Sequence, residues 1–157
     1  SQPSLLQRKD DTWTLEPVYH ASATPFGASC TGTAGPLTIM TTDRPWLGTT
    51  VTIDWSGTPA GSVVLLAFGW SRTNWLGVPL PLPLGSIGMT GCNLLVSLDH
   101  AEARATVATS LQQDVFLPYV AAVLGFELSL QGFAFDPPAN PAGITASNGI
   151  VLGLGGL

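Results

Sequence analysis

Apolar and polar positions alternate along this chain in short runs cut by glycine and proline. In Thr49-Thr-Val-Thr-Ile-Asp-Trp55, Val51, Ile53 and Trp55 share one side and Thr50, Thr52 and Asp54 the other, the period of a half-buried strand. In 92–98 the same period aligns Cys92, Leu94, Val96 and Leu98, which points Cys92 into the core. The run 62–70 is apolar on both sides and predicts a central strand covered by a loop or by another subunit. In 126–136 the apolar parity switches from Phe126, Leu128 and Leu130 to Phe133 and Phe135, and a bulge at Gly132 accounts for the switch. Further strands are predicted at 36–42, 103–111 and 144–152. The runs Ser56-Gly-Thr-Pro-Ala-Gly61 and Asp136-Pro-Pro-Ala-Asn-Pro-Ala-Gly143 read as turns. The one helical candidate is 114–124, which Pro118 limits to a turn or two. In 79–91, prolines at 79, 81 and 83 predict an extended crossover that lays Leu80, Leu82 and Leu84 along a sheet. Strands of this length and spacing predict an all-β fold, an antiparallel Ig-like or jelly-roll-type β-sandwich of about seven to nine strands with one disulfide.

Charge changes the picture at the N-terminus. Residues 1–25 hold Arg8, Lys9, Asp10, Asp11 and Glu16 among apolar anchors such as Trp13 and Leu15. They read as an N-terminal arm or first strand ahead of a sandwich domain over 26–157, a length for one core. Charged residues make up only 10 % of the 157, against about 25 % in ordinary domains. With five Lys plus Arg and a net charge of −5, no basic patch can serve nucleic-acid binding. No apolar stretch approaches the roughly 20 residues of a membrane-crossing helix. The polar start Ser1-Gln-Pro-Ser4 lacks a basic region ahead of an apolar run, as expected of the mature form of an exported protein.

Cys30 and Cys92 have no metal-type spacing, and in a chain so poor in charge they point to an exported protein with one disulfide. Phe26-Gly-Ala-Ser-Cys30, Pro45-Trp-Leu-Gly48, Asn74-Trp-Leu-Gly-Val-Pro-Leu-Pro-Leu-Pro-Leu84, Gly88-Met-Thr-Gly-Cys-Asn-Leu-Leu-Val-Ser97 and Gly125-Phe-Glu-Leu-Ser-Leu-Gln131 follow one another in an order that resembles a family of secreted bacterial β-sandwich domains. The resemblance covers roughly residues 26–152, and its most specific part is the pair of FGxxC…GCxLxVS segments. Domains of that family often stand at the C-terminal end of larger extracellular proteins. The resemblance implies a Cys30–Cys92 bridge and a secreted or cell-surface location, and carries no established activity with it.

Candidate chemistry is sparse. His20 has no second histidine beside it. His100-Ala-Glu102 matches half of a zinc-deaminase signature, but no cysteine follows Cys92 to supply the other half. Gly69-Trp-Ser71-Arg-Thr73 lacks the closing glycine of a nucleophile elbow. Two oxygen-bearing side chains in Asp136–Asn140 do not make a calcium loop. Neither a metal nor a cofactor is expected, and the chain reads as no enzyme. The binding potential lies in tryptophans at turns: Trp75 with Asn74 and Arg72, and Trp46, could take a sugar by stacking and hydrogen bonding. The ends of the chain are apolar, with Leu5, Leu6, Trp13 and Leu15 at one and Ile150, Leu152, Leu154 and Leu157 at the other. Exposed apolar ends are unfavourable, so one of the two termini is expected to pack against a neighbouring subunit by strand addition, the competing outcome being an arm that covers its own sandwich. The expected function is that of a non-enzymatic extracellular subunit of a fibre, surface layer or envelope complex, self-associating or bound to other envelope proteins. The alternative is a carbohydrate-binding module.

Overall fold

A computed structural model describes residues 4–9, 12–17 and 19–156, with side chains from Tyr19 to Gly156. The protein is all-β and antiparallel; two short 3₁₀ turns, Gly85–Ile87 and Ala121–Val123, are the only helix among the described residues. Strands β1 (Ser4–Lys9) and β2 (Thr12–Pro17) pair with each other as a hairpin. Then come β3 (Ser22–Phe26), the small hairpin β4 (Thr31–Gly32) and β5 (Gly35–Pro36), β6 (Thr38–Met40), β7 (Thr49–Ser56) and β8 (Val63–Gly69). Four two-residue strands follow: β9 (Asn74–Trp75), β10 (Val78–Pro79), β11 (Leu82–Pro83) and β12 (Asn93–Leu94). The chain closes with β13 (His100–Ala105), β14 (Ser110–Leu117), β15 (Glu127–Phe135) and β16 (Ile144–Gly153).

Two sheets form the body. One has the order β13-β8-β15-β16-β3, the other β14-β7-β6. The inward side chains of β7 and β14, among them Val51, Ile53, Trp55 and Val115, meet Val64, Leu66, Leu130, Ile150 and Leu152 of the larger sheet. Each such aliphatic side chain contributes about 1.5–3 kcal/mol by leaving water. Trp55 points inward, as its parity predicts, and donates its Nε1–H to Gln113 Oε1 at 3.2 Å. The predicted arm supplies a sheet edge, because β3 pairs with β16.

The two-sided apolar run in β8 has a cover of its own. On the outer face of the larger sheet, residues 80–96 lay Leu84, Met89, Leu94, Leu95 and Val96 over Ala67, Phe133 and Ala146. The disulfide Cys30–Cys92 fastens this layer. The layer corrects the predicted strand 92–98: only Asn93–Leu94 form a ladder, with Leu82–Pro83, and Leu95 is buried beside Leu94 against strand parity. The segment buries apolar side chains without joining a large sheet. Its backbone is instead satisfied by Gln131, whose Oε1 accepts from Leu95 N–H at 2.9 Å and whose Nε2 donates to the carbonyls of Asn93 (2.8 Å) and Ser147 (3.0 Å).

Three other boundaries move. The predicted strand 103–111 is two strands, with a turn at 106–109 held by Thr58, whose N–H donates to Thr109 O and whose hydroxyl donates to Ala108 O. The predicted helical piece begins as the end of β14, because Gln113, Val115 and Leu117 keep the period of two up to Pro118 and are buried on it. The run 36–42 is broken at Leu37, between β5 and β6.

The bulge lies in a different strand from the one expected, and the parity switch in β15 comes from the covering layer, under which Phe133 is buried on the outer face. Strand β15 pairs with β8 without interruption from Ser129 to Ala134, so Gly132 keeps its place on the inner face. The register slips between β15 and β16, where Gln131 opposes Gly149 but Phe133 opposes Ala146. The extra residue therefore belongs to β16, at Ser147–Asn148, opposite Gly132. It turns Ala146 to the outer face and Ile150 and Leu152 to the inner one.

The C-terminal segment is not an exposed docking end. Ile150, Leu152 and Leu154 lie in the sandwich core, contrary to the assembly role expected of them. Gly155 and Gly156 are tied to Trp46 and Tyr19 by isolated bridges, so burial of this apolar run happens within one molecule. The side chains of Leu5, Leu6, Trp13 and Leu15, and Leu157, lie outside the described residues.

Candidate functional site

At one end of the sandwich, β8 and β13 face the end of β14 and the 118–124 segment across a groove with a cavity of about 390 Å³. Its floor is apolar, made by Leu47, Phe68, Val115, Leu117, Val123 and Leu128. Phe116 and Val120, both largely exposed, form one rim, and Trp70, 51 % exposed, the other. Trp70 leaves β8 just after Gly69 and meets Phe126 edge-on, with ring centroids 6.3 Å apart and planes at 88°.

The remaining wall is polar and comes from Asp99, His100 and Glu102. The Asp99 carboxylate accepts from Trp70 N–H at 2.9 Å and from the Ser97 hydroxyl at 2.7 Å. The Trp70 N–H first, then the Ser97 hydroxyl, holds this carboxyl below the usual carboxylate range against a small opposing effect of burial. The same contacts lock the backbone that presents the indole. His100 lies against Phe68, ring centroids 5.4 Å apart, with Nε2 3.6 Å from Glu102 Oε2. Flat apolar faces can stack on the rim rings while hydroxyls or ammonium groups donate to the carboxylates.

The residues singled out from the sequence for sugar binding separate. Trp75 and Asn74 line a shallow depression beside Trp70, Ser97 and Asp99, next to the groove. Trp75 is half-buried and packs on the covering layer, and Asn74 Oδ1 accepts from Gly77 N–H within its own turn. Arg72 turns elsewhere, its guanidinium 5.3 Å from the Phe26 ring centroid and 3.5 Å from Glu127. Trp46 is half-buried, its backbone bridged to Gly155. The Ser71 hydroxyl accepts from Thr73 and Asn74 N–H and so serves a turn.

Trp70, Phe116 and Phe126 are not among the residues the sequence marks for binding. Trp70 closes an apolar run, Phe116 falls within the helical candidate 114–124, and Phe126 belongs to the alternation of 126–130. A usable signal exists in Gly69-Trp70 and Gly125-Phe126, where an aromatic follows a glycine at a strand end. Comparison with protein-family models, curated proteins and solved structures finds no match to this chain.

Proposed function

We propose that this chain is a non-enzymatic extracellular domain that works by assembly, as a subunit of a fibre, surface layer or envelope complex. One observation carries the reading. The covering layer stops short on the outer face of the larger sheet, leaving Val63, Leu65, Leu98 and Phe135 exposed by 40, 38, 40 and 54 %. Around them lies a wholly apolar depression of about 220 Å³ lined by Leu65, Met89, Leu98, Phe133, Ala134, Phe135 and Ile144. Contiguous apolar surface of this kind is stabilised by a partner. A charge content of 10 % sets little repulsion against close approach. The disulfide supports an oxidising, secreted or cell-surface location, and it joins the two cysteine segments that carry the resemblance to secreted bacterial sandwich domains. Light scattering of the purified protein tests this: self-association is expected, and Leu65→Lys with Phe135→Lys is expected to weaken it. A wild-type protein that stays monomeric at every concentration and does not sediment with its native envelope overturns the reading.

A second reading, saccharide binding, is favoured by Trp70, braced edge-on by Phe126, on the rim beside Asp99 and Glu102. Titration of tryptophan fluorescence with a panel of oligosaccharides tests it. Binding lost in Trp70→Ala and kept in Trp46→Ala is the expected result.

A further inference from the structure

The larger sheet ends on an open strand. Strand β13 pairs with β8 from His100 opposite Phe68 to Ala105 opposite Val63, and no described strand lies on its other side. Thr106 N–H donates to Ser62 O at 2.8 Å, one pair beyond that register. Hydrogen-bonded pairs alternate along an antiparallel ladder, so Arg104, Glu102 and His100 bond towards β8. Ala101, Ala103 and Ala105 therefore turn their N–H and C=O groups to the free edge. The only described donor to that edge is Arg104 itself, with Nη1 3.2 Å from Ala103 O.

We infer that β13 pairs with β13 of a second copy of this chain, antiparallel about a two-fold axis at Ala103. The inference rests on the assembly reading and names its partner. The register follows from the side chains. Edge bonding must join outward-facing residues, which places Ala103 opposite Ala103 and Ala101 opposite Ala105. Glu102 then stands opposite Arg104 twice, at the non-hydrogen-bonded positions where side chains approach most closely. Moving the axis to Glu102 opposes two carboxylates, and moving it to Arg104 opposes two guanidinium groups. An axis at Ala101 sets His100 opposite Glu102 and Arg104 opposite Leu98, so Ala103 is the centre that pairs both Glu102 and Arg104 with an opposite charge. On the other face the alanines add no bulk at the junction. Ala103 and Ala105 sit beside Leu65 and Val63, so the exposed apolar stripe runs on across the axis. The contact is isologous and closes as a dimer, which larger assemblies would use as their unit.

Light scattering of the full chain and of four variants tests the inference. Ala103→Pro removes an outward N–H without removing a bond to β8, and is expected to lose the dimer. Glu102→Arg leaves only positive charge at the paired positions and Arg104→Glu only negative. Each is expected to be monomeric, and their equimolar mixture to form a heterodimer. The double swap, Glu102→Arg with Arg104→Glu, is expected to restore the homodimer. If the wild type associates and all four variants associate equally, while Leu65→Lys with Phe135→Lys does not, the edge contact is wrong and the assembly reading stands. A wild-type protein that is monomeric at every concentration overturns the inference, and sedimentation with the native envelope then decides the wider reading separately.

Discussion

Gln131 replaces a strand with one side chain. Wholly buried, its amide supplies one acceptor and two donors to backbone groups of the covering layer and of β16. Gln131→Leu keeps an apolar body of similar size but strands three buried polar groups. It is expected to lower the unfolding free energy by about 2–4 kcal/mol, read by urea denaturation. Asp99 makes a pH-dependent contribution. Its folded pKa lies below the ordinary 3.8, so it stabilises the fold above that value and ceases to do so as pH falls through the folded pKa. Asp99→Asn is therefore expected to lower Tm at neutral pH, with the difference from wild type shrinking below about pH 4.

The bulge in β16 is the element on which the two faces turn. It also sends Asn148 across the sandwich, where its amide accepts from Ile39 N–H and donates to Ile39 O, both at 3.0 Å. That amide occupies the edge of the smaller sheet at β6 and joins the two layers. Asn148→Ala is expected to cost about 1–3 kcal/mol and to speed hydrogen exchange at Ile39. Opposite the bulge, a Cβ on Gly132 would lie 2.5 Å from Trp55 Cζ3 and 3.1 Å from Ser147 Oγ. The space belongs to a buried indole held by Gln113, so Gly132→Ala is expected to destabilise by about 1–3 kcal/mol through overpacking, seen in denaturation and in near-ultraviolet dichroism of Trp55.

For the whole molecule, the disulfide holds a third layer onto a two-layer sandwich. It spans 62 residues of sequence, and Cys30 is itself bonded to β16 through its N–H to Ala146 O at 3.0 Å. The bridge thus couples the start of the body, the last strand and the cover. Cys92→Ala paired with Cys30→Ala is expected to cost about 2–5 kcal/mol. Exchange protection should fall first over residues 84–96 and last in β7 and β14. Uniform loss across the chain would mean that the cover does not open independently.

Strands β7, β8, β15 and β16 are legible in the sequence to within a residue or two, because alternation between faces is a local property of a half-buried backbone. The inward Trp55, the turns at 56–61 and 136–143 and the pair of cysteines are legible for the same reason. The run 92–98 is not, since apolar alternation reports burial and says nothing of which backbone groups lie alongside. The bulge was equally hidden: β15 keeps its alternation, and its apolar residues change face because the outer face is covered at Phe133, which no local pattern reports. The groove is the least legible part, for Phe68, Trp70, Asp99, Phe116 and Leu128 are scattered in sequence and meet only because β8 lies between β13 and β15 and the smaller sheet closes over them. Sequence alone determined which segments are strands and which faces they bury. Tertiary structure decided the order of the strands, the cover over β8 and the burial of the C-terminal segment, because those depend on which distant apolar surfaces can leave water together.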